Sequence, residues 1–94
     1  MQADDMTRIV PVIKIVPEEY DAFVRLVPAD ERLPRSYDDW LKRSARLAAE
    51  RDARGDNVKT VVIHSEEFAY YCLAKNRDPD YALLEALAAE KAAG

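Results

Sequence analysis

Glycine is almost missing from this chain of 94 residues: only Gly55 and the terminal Gly94 are present. One internal glycine excludes a glycine-rich phosphate loop and any fold that depends on a succession of tight glycine turns. Cysteine occurs once, at Cys72, so neither an intramolecular disulfide nor a thiolate metal cluster can form. Histidine also occurs once, at His64, and has no second histidine to complete a metal site. The apolar runs are a few residues long, against the roughly 20 needed to span a bilayer. The opening Met1-Gln2-Ala3-Asp4-Asp5 is acidic and leads into no apolar signal core. A cytoplasmic protein without membrane contact is expected. A net charge of −4 argues against a bulk electrostatic grip on nucleic acid, while leaving room for a local basic face.

What is present reads as a folded domain. Apolar residues make up 49% and charged residues 34%, a balance that supports a core and excludes a disordered chain. Residues 1–94 suffice for one domain and are too few for two independent cores. Residues 1–7 are polar and expected to fray. Arg8 to Val16 is β-branched or apolar at nearly every position and reads as a strand, with Pro11 confining it to an edge or delaying its pairing. Pro17 fits the first turn of a helix, with Glu18 and Glu19 at the positive end of its dipole. Tyr20, Phe23, Val24 and Val27 form its apolar stripe, and Pro28 stops it.

Ser36 is a good N-cap for a second, longer helix. Its inward stripe reads as Tyr37, Trp40, Leu41, Ser44, Ala45 and Ala48, and Gly55 is the expected C′ residue. Val58 to His64 is a second β-branched run. Ser65 can cap a third helix, with Phe68, Tyr71 and Cys72 inward. Asp78-Pro79 then opens a last helix whose core face carries Tyr81, Leu84 and Ala88. The fold class is therefore α+β, in the order β-α-α-β-α-α, with four helices and a small two-stranded sheet.

The order strand, helix, helix occurs twice, with candidate repeat units 8–55 and 56–94. Val16-Pro17-Glu18-Glu19-Tyr20 aligns with His64-Ser65-Glu66-Glu67-Phe68, and Phe23 and Val24 align with Tyr71 and Cys72. A pseudo-two-fold axis would relate such units, with the strands paired antiparallel across it. The run Val58-Lys59-Thr60-Val61-Val62-Ile63-His64, then Ser65-Glu66-Glu67-Phe68 and the helix after Asp78, resembles the ribbon-helix-helix family of DNA-binding regulators. The resemblance implies paired strands reading bases in a major groove. Arg8, Lys14 and Thr60 of the strands, with Lys42, Arg43 and Arg46 of the second helix, would be the contacts. Against it, Asp38, Asp39, Asp78 and Asp80 stand where that family contacts phosphates, and the strands supply few readers of base edges.

No catalytic site is legible. His64 at a strand end is expected to be structural, Cys72 on an apolar stripe to be an inert buried thiol, and Ser65 lacks the turn of an activated nucleophile. The carboxylate pairs Glu18-Glu19, Asp38-Asp39 and Glu66-Glu67 fall in helix first turns, where the dipole accounts for them. Asp38–Lys42 and Asp39–Arg43 at i, i+4 neutralise half of the basic set. No metal or cofactor is expected. The informative excess is apolar: both faces of the strands carry valine or isoleucine, more than so small a chain can cover. An interface through Val10, Val12, Ile13, Ile15, Val61 and Ile63 follows, used for self-association or for a protein partner. The expected function is a small non-enzymatic interaction or regulatory module, with DNA binding as the alternative and an enzyme third.

Overall fold

β-Branched residues at consecutive positions force the two strands, and proline and glycine punctuate what lies between them. The computed structural model describes residues 9–93. The expected fraying of residues 1–7, and Arg8 as a DNA contact, lie outside that range. β1 (Ile9–Lys14) leads through a single turn of 3₁₀ helix (Pro17–Glu19) into α1 (Tyr20–Leu26). Then come α2 (Tyr37–Ala53), β2 (Asn57–Val62), α3 (Ser65–Ala74) and α4 (Tyr81–Ala93). The order β-α-α-β-α-α and the α+β class are as the sequence implies.

The caps differ in detail from those read in the sequence. Ser36 caps α2 as expected, its Oγ accepting from Asp39 N–H at 3.3 Å. For α3 the cap position is His64 rather than Ser65, and for α4 the capping oxygen is Asp80 Oδ1, which accepts from Leu83 N–H at 2.8 Å, rather than Asp78. Pro79 stiffens the approach instead of opening the helix. Two helices end alike. At α2, Gly55 (φ 86°) donates to Asp52 C=O and Asp56 to Arg51 C=O; at α3, Asn76 (φ 58°) donates to Leu73 C=O and Arg77 to Cys72 C=O. Both are Schellman closures, in which the C′ residue takes the left-handed conformation that Gly and Asn tolerate best.

The strands pair within the chain and parallel, with Ile13 opposite Val61 and Lys14 opposite Val62. This corrects the antiparallel pairing expected from a pseudo-two-fold. Some forty residues separate the strands, and α2 runs back from the carboxyl end of the sheet, where Tyr37 Oη donates to Ile15 C=O at 2.6 Å, to its amino end. The chain thus re-enters the sheet in the same direction, as a crossover connection requires. One ribbon face, Ile13 and Ile15 with Val61 and Ile63, is buried against the helices. Phe23 of α1 stacks on Phe68 of α3 at 5.7 Å, and Tyr20 packs between Tyr37 and Trp40 of α2. Tyr81, Leu83, Leu84, Leu87, Ala88 and Ala92 bring α4 into the same core.

α2 is rotated from its expected setting. Trp40 is 2% exposed, but Leu41 is 46% exposed and Ala45 is also exposed. The helix meets the body through Tyr37, Trp40, Ser44 and Leu47, spaced i, i+3, i+7 and i+10, and leaves Leu41, Ala45 and Ala48 on its flank. The strand register is open to a direct check. Ile63→Ala should cost about 2–5 kcal/mol in urea unfolding, since Ile63 is fully buried, whereas Val62→Ala should cost less than about 1 kcal/mol. The reverse ranking would mean a ribbon slipped by one residue.

Candidate interaction surface

The backbone polarity of the ribbon decides what its edges offer. Ile63 N–H donates to Lys14 C=O at 3.1 Å, so the backbone groups of Lys14 point at β2. Because these groups alternate along a strand, those of Pro11 and Ile13 point to the free edge of β1, and those of Thr60 and Val62 to the free edge of β2. Pro11 therefore withholds a donor at an edge, where a proline is tolerated. Both edges are stopped at their carboxyl ends. Tyr37 Oη covers Ile15 C=O, and Lys91 Nζ donates to Val62 C=O at 2.6 Å. Among the described residues nothing pairs with Pro11 C=O or Ile13 N–H.

The second ribbon face is only half covered. It carries Val10, Val12 and Lys14 from β1 with Val58, Thr60 and Val62 from β2. Val10, Val12 and Val58 are half-buried, Val62 is 37% exposed, and Lys14 and Thr60 are exposed. Between this face and the Leu41–Ala45–Ala48 flank of α2 runs an apolar groove of about 260 Å³, with Lys14 its one charged lining residue. On the other side of α2 a cleft of about 240 Å³ lies between the β1 edge, α2 and α4. Its walls include Trp40, Arg43, Leu47 and Arg51 of α2 and Tyr81 and Glu85 of α4.

These placements divide the residues expected to act. Of the six interface candidates, Ile13, Ile15, Val61 and Ile63 are 0–8% exposed in the intramolecular core, which uses up the face expected to bind. Val10 and Val12 remain, on the opposite face. Leu41 was assigned to the core by its spacing, and its exposure in the groove escaped sequence reasoning. Of the basic set, Lys14 and Thr60 are exposed on the ribbon and Lys42 and Arg46 on α2, while Arg43 is half-buried in the cleft.

A polar cluster at the carboxyl ends of the strands joins the first and second halves of the chain. Glu19 Oε1 accepts from Ser65 N–H at 2.6 Å, and its Oε2 lies 3.0 Å from His64 Nδ1. Glu67 Oε1 accepts from His64 N–H at 2.8 Å and from Lys91 Nζ at 2.6 Å. Two carboxylates thus satisfy the open amides at the start of α3. The Ser65 amide, and then His64, hold the Glu19 carboxyl below the ordinary carboxylate range. Burial pushes the Cys72 thiol up, as befits an inert core cysteine. Among the described residues no group of His, Cys, Asp and Glu is arranged to hold a metal, and no helix is long and apolar enough to cross a membrane. Comparison with protein-family models, with curated proteins and with solved structures finds no match.

Because the folded-state value of Glu19 is lowered, its stabilisation is complete above the unfolded value of about 4.5 and is lost as pH falls through the folded one. Glu19→Gln should therefore lower stability at neutral pH and flatten its decline between about pH 5 and pH 3. Chemical denaturation across that range reads both effects. A variant that kept the wild-type slope would show that Glu19 does not hold the two halves together.

Proposed function

We propose that this protein is a small non-enzymatic interaction module that pairs with a second copy of itself through the half-covered ribbon face and the adjoining flank of α2. The observation that carries this reading is the apolar groove between Val12 and Leu41, with the exposed Val62 further along the same ribbon face, past Thr60 and beside Lys14. Parallel strands are ordinarily covered on both faces, and a two-stranded ribbon is marginal alone. A contiguous apolar surface of this kind usually serves as a contact. Self-pairing suits it, because one apolar patch meets its own copy without opposing charges, and the Lys14 stem can lie along the rim with its ammonium in water.

DNA is the less favoured partner. Asp38 and Asp39 are exposed in the first turn of α2, beside the Lys42 and Arg46 that would have to approach phosphate. The module is read as cytoplasmic, where its one buried thiol stays reduced.

Light scattering at several hundred micromolar tests the reading. The expected wild-type species is a dimer, and Leu41→Asp with Val62→Asp should give a monomer with unchanged circular dichroism. A wild-type monomer at that concentration would overturn self-pairing.

A further inference from the structure

The cleft on the other side of α2 adjoins the self-pairing groove, sharing Val12, Ile13, Trp40 and Ser44 with it, and differs from it in chemistry. Its floor is apolar, from Val10, Val12, Leu47 and Ala88, and Trp40 and Tyr81 stand in its walls. Two guanidinium groups line it, Arg43 and Arg51, and among the described residues neither makes an ion pair. The one carboxylate in the lining, Glu85, lies 3.8 Å from Arg32, which also pairs with Asp30 at 2.8 Å. The cleft therefore sets two guanidinium groups against one carboxylate over apolar lining, an excess of positive charge on a protein of net charge −4.

Its third wall is the free edge of β1, where Pro11 C=O and Ile13 N–H lie unpaired. A strand residue set beside Val12 and running parallel to β1 donates to the first and accepts from the second. That single pairing asks nothing of the Pro11 nitrogen, and neither does an antiparallel residue set opposite Ile13. A parallel residue beside Val10 or an antiparallel one opposite Pro11 finds no donor there. At about 240 Å³ the space is smaller than the roughly 300–1,000 Å³ of pockets that enclose drug-sized molecules. It suits a short stretch of extended chain better than a cofactor.

From these features we infer that the cleft binds a short, extended, acidic peptide segment of a partner protein, paired to the β1 edge around Val12 and Ile13 with its carboxylates on Arg43 and Arg51. The spacing agrees. Arg43 and Arg51 are eight positions apart on α2, about 12 Å at about 1.5 Å per residue. Acidic residues four positions apart in an extended chain stand about 13 Å apart on one face, at about 3.3 Å per residue. Arginine suits this task, since its planar fork meets a carboxylate with two hydrogen bonds. Backbone pairing supplies the docking, and the two arginines supply the selection.

The inference does not depend on self-pairing and is tested separately from it. Trp40 is the only tryptophan and lines both the cleft and the groove, so its fluorescence reports binding and the amide shifts decide which of the two is occupied. The probe is a capped Glu-Val-Thr-Val-Glu peptide, with Gln-Val-Thr-Val-Gln as its neutral twin. The acidic peptide should give a saturable fluorescence change and amide shifts at Ile13, Arg43 and Arg51, weakening as salt rises. Arg43→Gln and Arg51→Gln should each weaken binding about tenfold or more, while Arg46→Gln, outside the cleft, leaves it unchanged. Should either cleft variant unfold, the neutral twin on the wild-type protein makes the same comparison. Equal binding of the two peptides, shifts confined to the Leu41–Val62 groove, or no saturable change up to about 5 mM would overturn the inference.

Discussion

Four side chains on one ribbon face, Ile13 and Ile15 with Val61 and Ile63, set the terms for everything around them. Burying a side chain of this size is worth about 1.5–3 kcal/mol, so the set contributes about 6–12 kcal/mol before the entropy of ordering is subtracted. That is comparable with the whole net stability of an ordinary domain, about 5–15 kcal/mol. A slip of β1 by one residue would turn Ile13 and Ile15 to the other face and send Lys14 inward, so the register is strongly fixed. α1, α3 and α4 are placed by the need to cover this face, and the Phe23–Phe68 stack is where the two helical pairs meet.

Electrostatics then closes the same end of the ribbon. Glu19 sits just past β1 and Ser65 just past β2, so the bond between them ties the two strand exits and orients α3 at its first turn. Lys91 reaches from α4 to Val62 C=O and to Glu67, adding the last helix to the cluster. A polar network at the exit and an apolar core behind it specify one arrangement together, because each carboxylate finds its donors only when the register is right.

The element order, the helix punctuation at Pro17, Ser36 and Gly55, and the burial of Phe23, Trp40, Phe68 and Leu84 were legible because each rests on local chemistry. Strand direction was not, because a hydrophobic pattern carries no arrow. A signal was nevertheless present. Strands apolar at nearly every position are how parallel strands read, since both faces are covered. The excess of valine taken as a sign of two exposed faces reflects in part this second cover, supplied by α2 over Val10, Val12 and Val58. The rotation of α2 was hidden for a related reason. Leu41 and Leu47 lie on opposite flanks of Trp40, and spacing alone does not say which flank turns to the core.

A two-stranded ribbon leaves two open edges, which invite indiscriminate pairing. Here the openings are reduced one by one. Tyr37 and Lys91 cover the last carbonyls, and Pro11 removes a donor from the middle of β1. What is left in the middle of β1 includes the Pro11 acceptor and the Ile13 donor flanking Val12, set between two helices. An edge managed in this way offers full pairing only over a short stretch around Val12 and Ile13. A parallel residue beside Val10 and an antiparallel residue opposite Pro11 alike meet the missing donor. The residue that blunts the edge against aggregation therefore also limits how long a segment can pair, and the arginines beside it give it a charge preference.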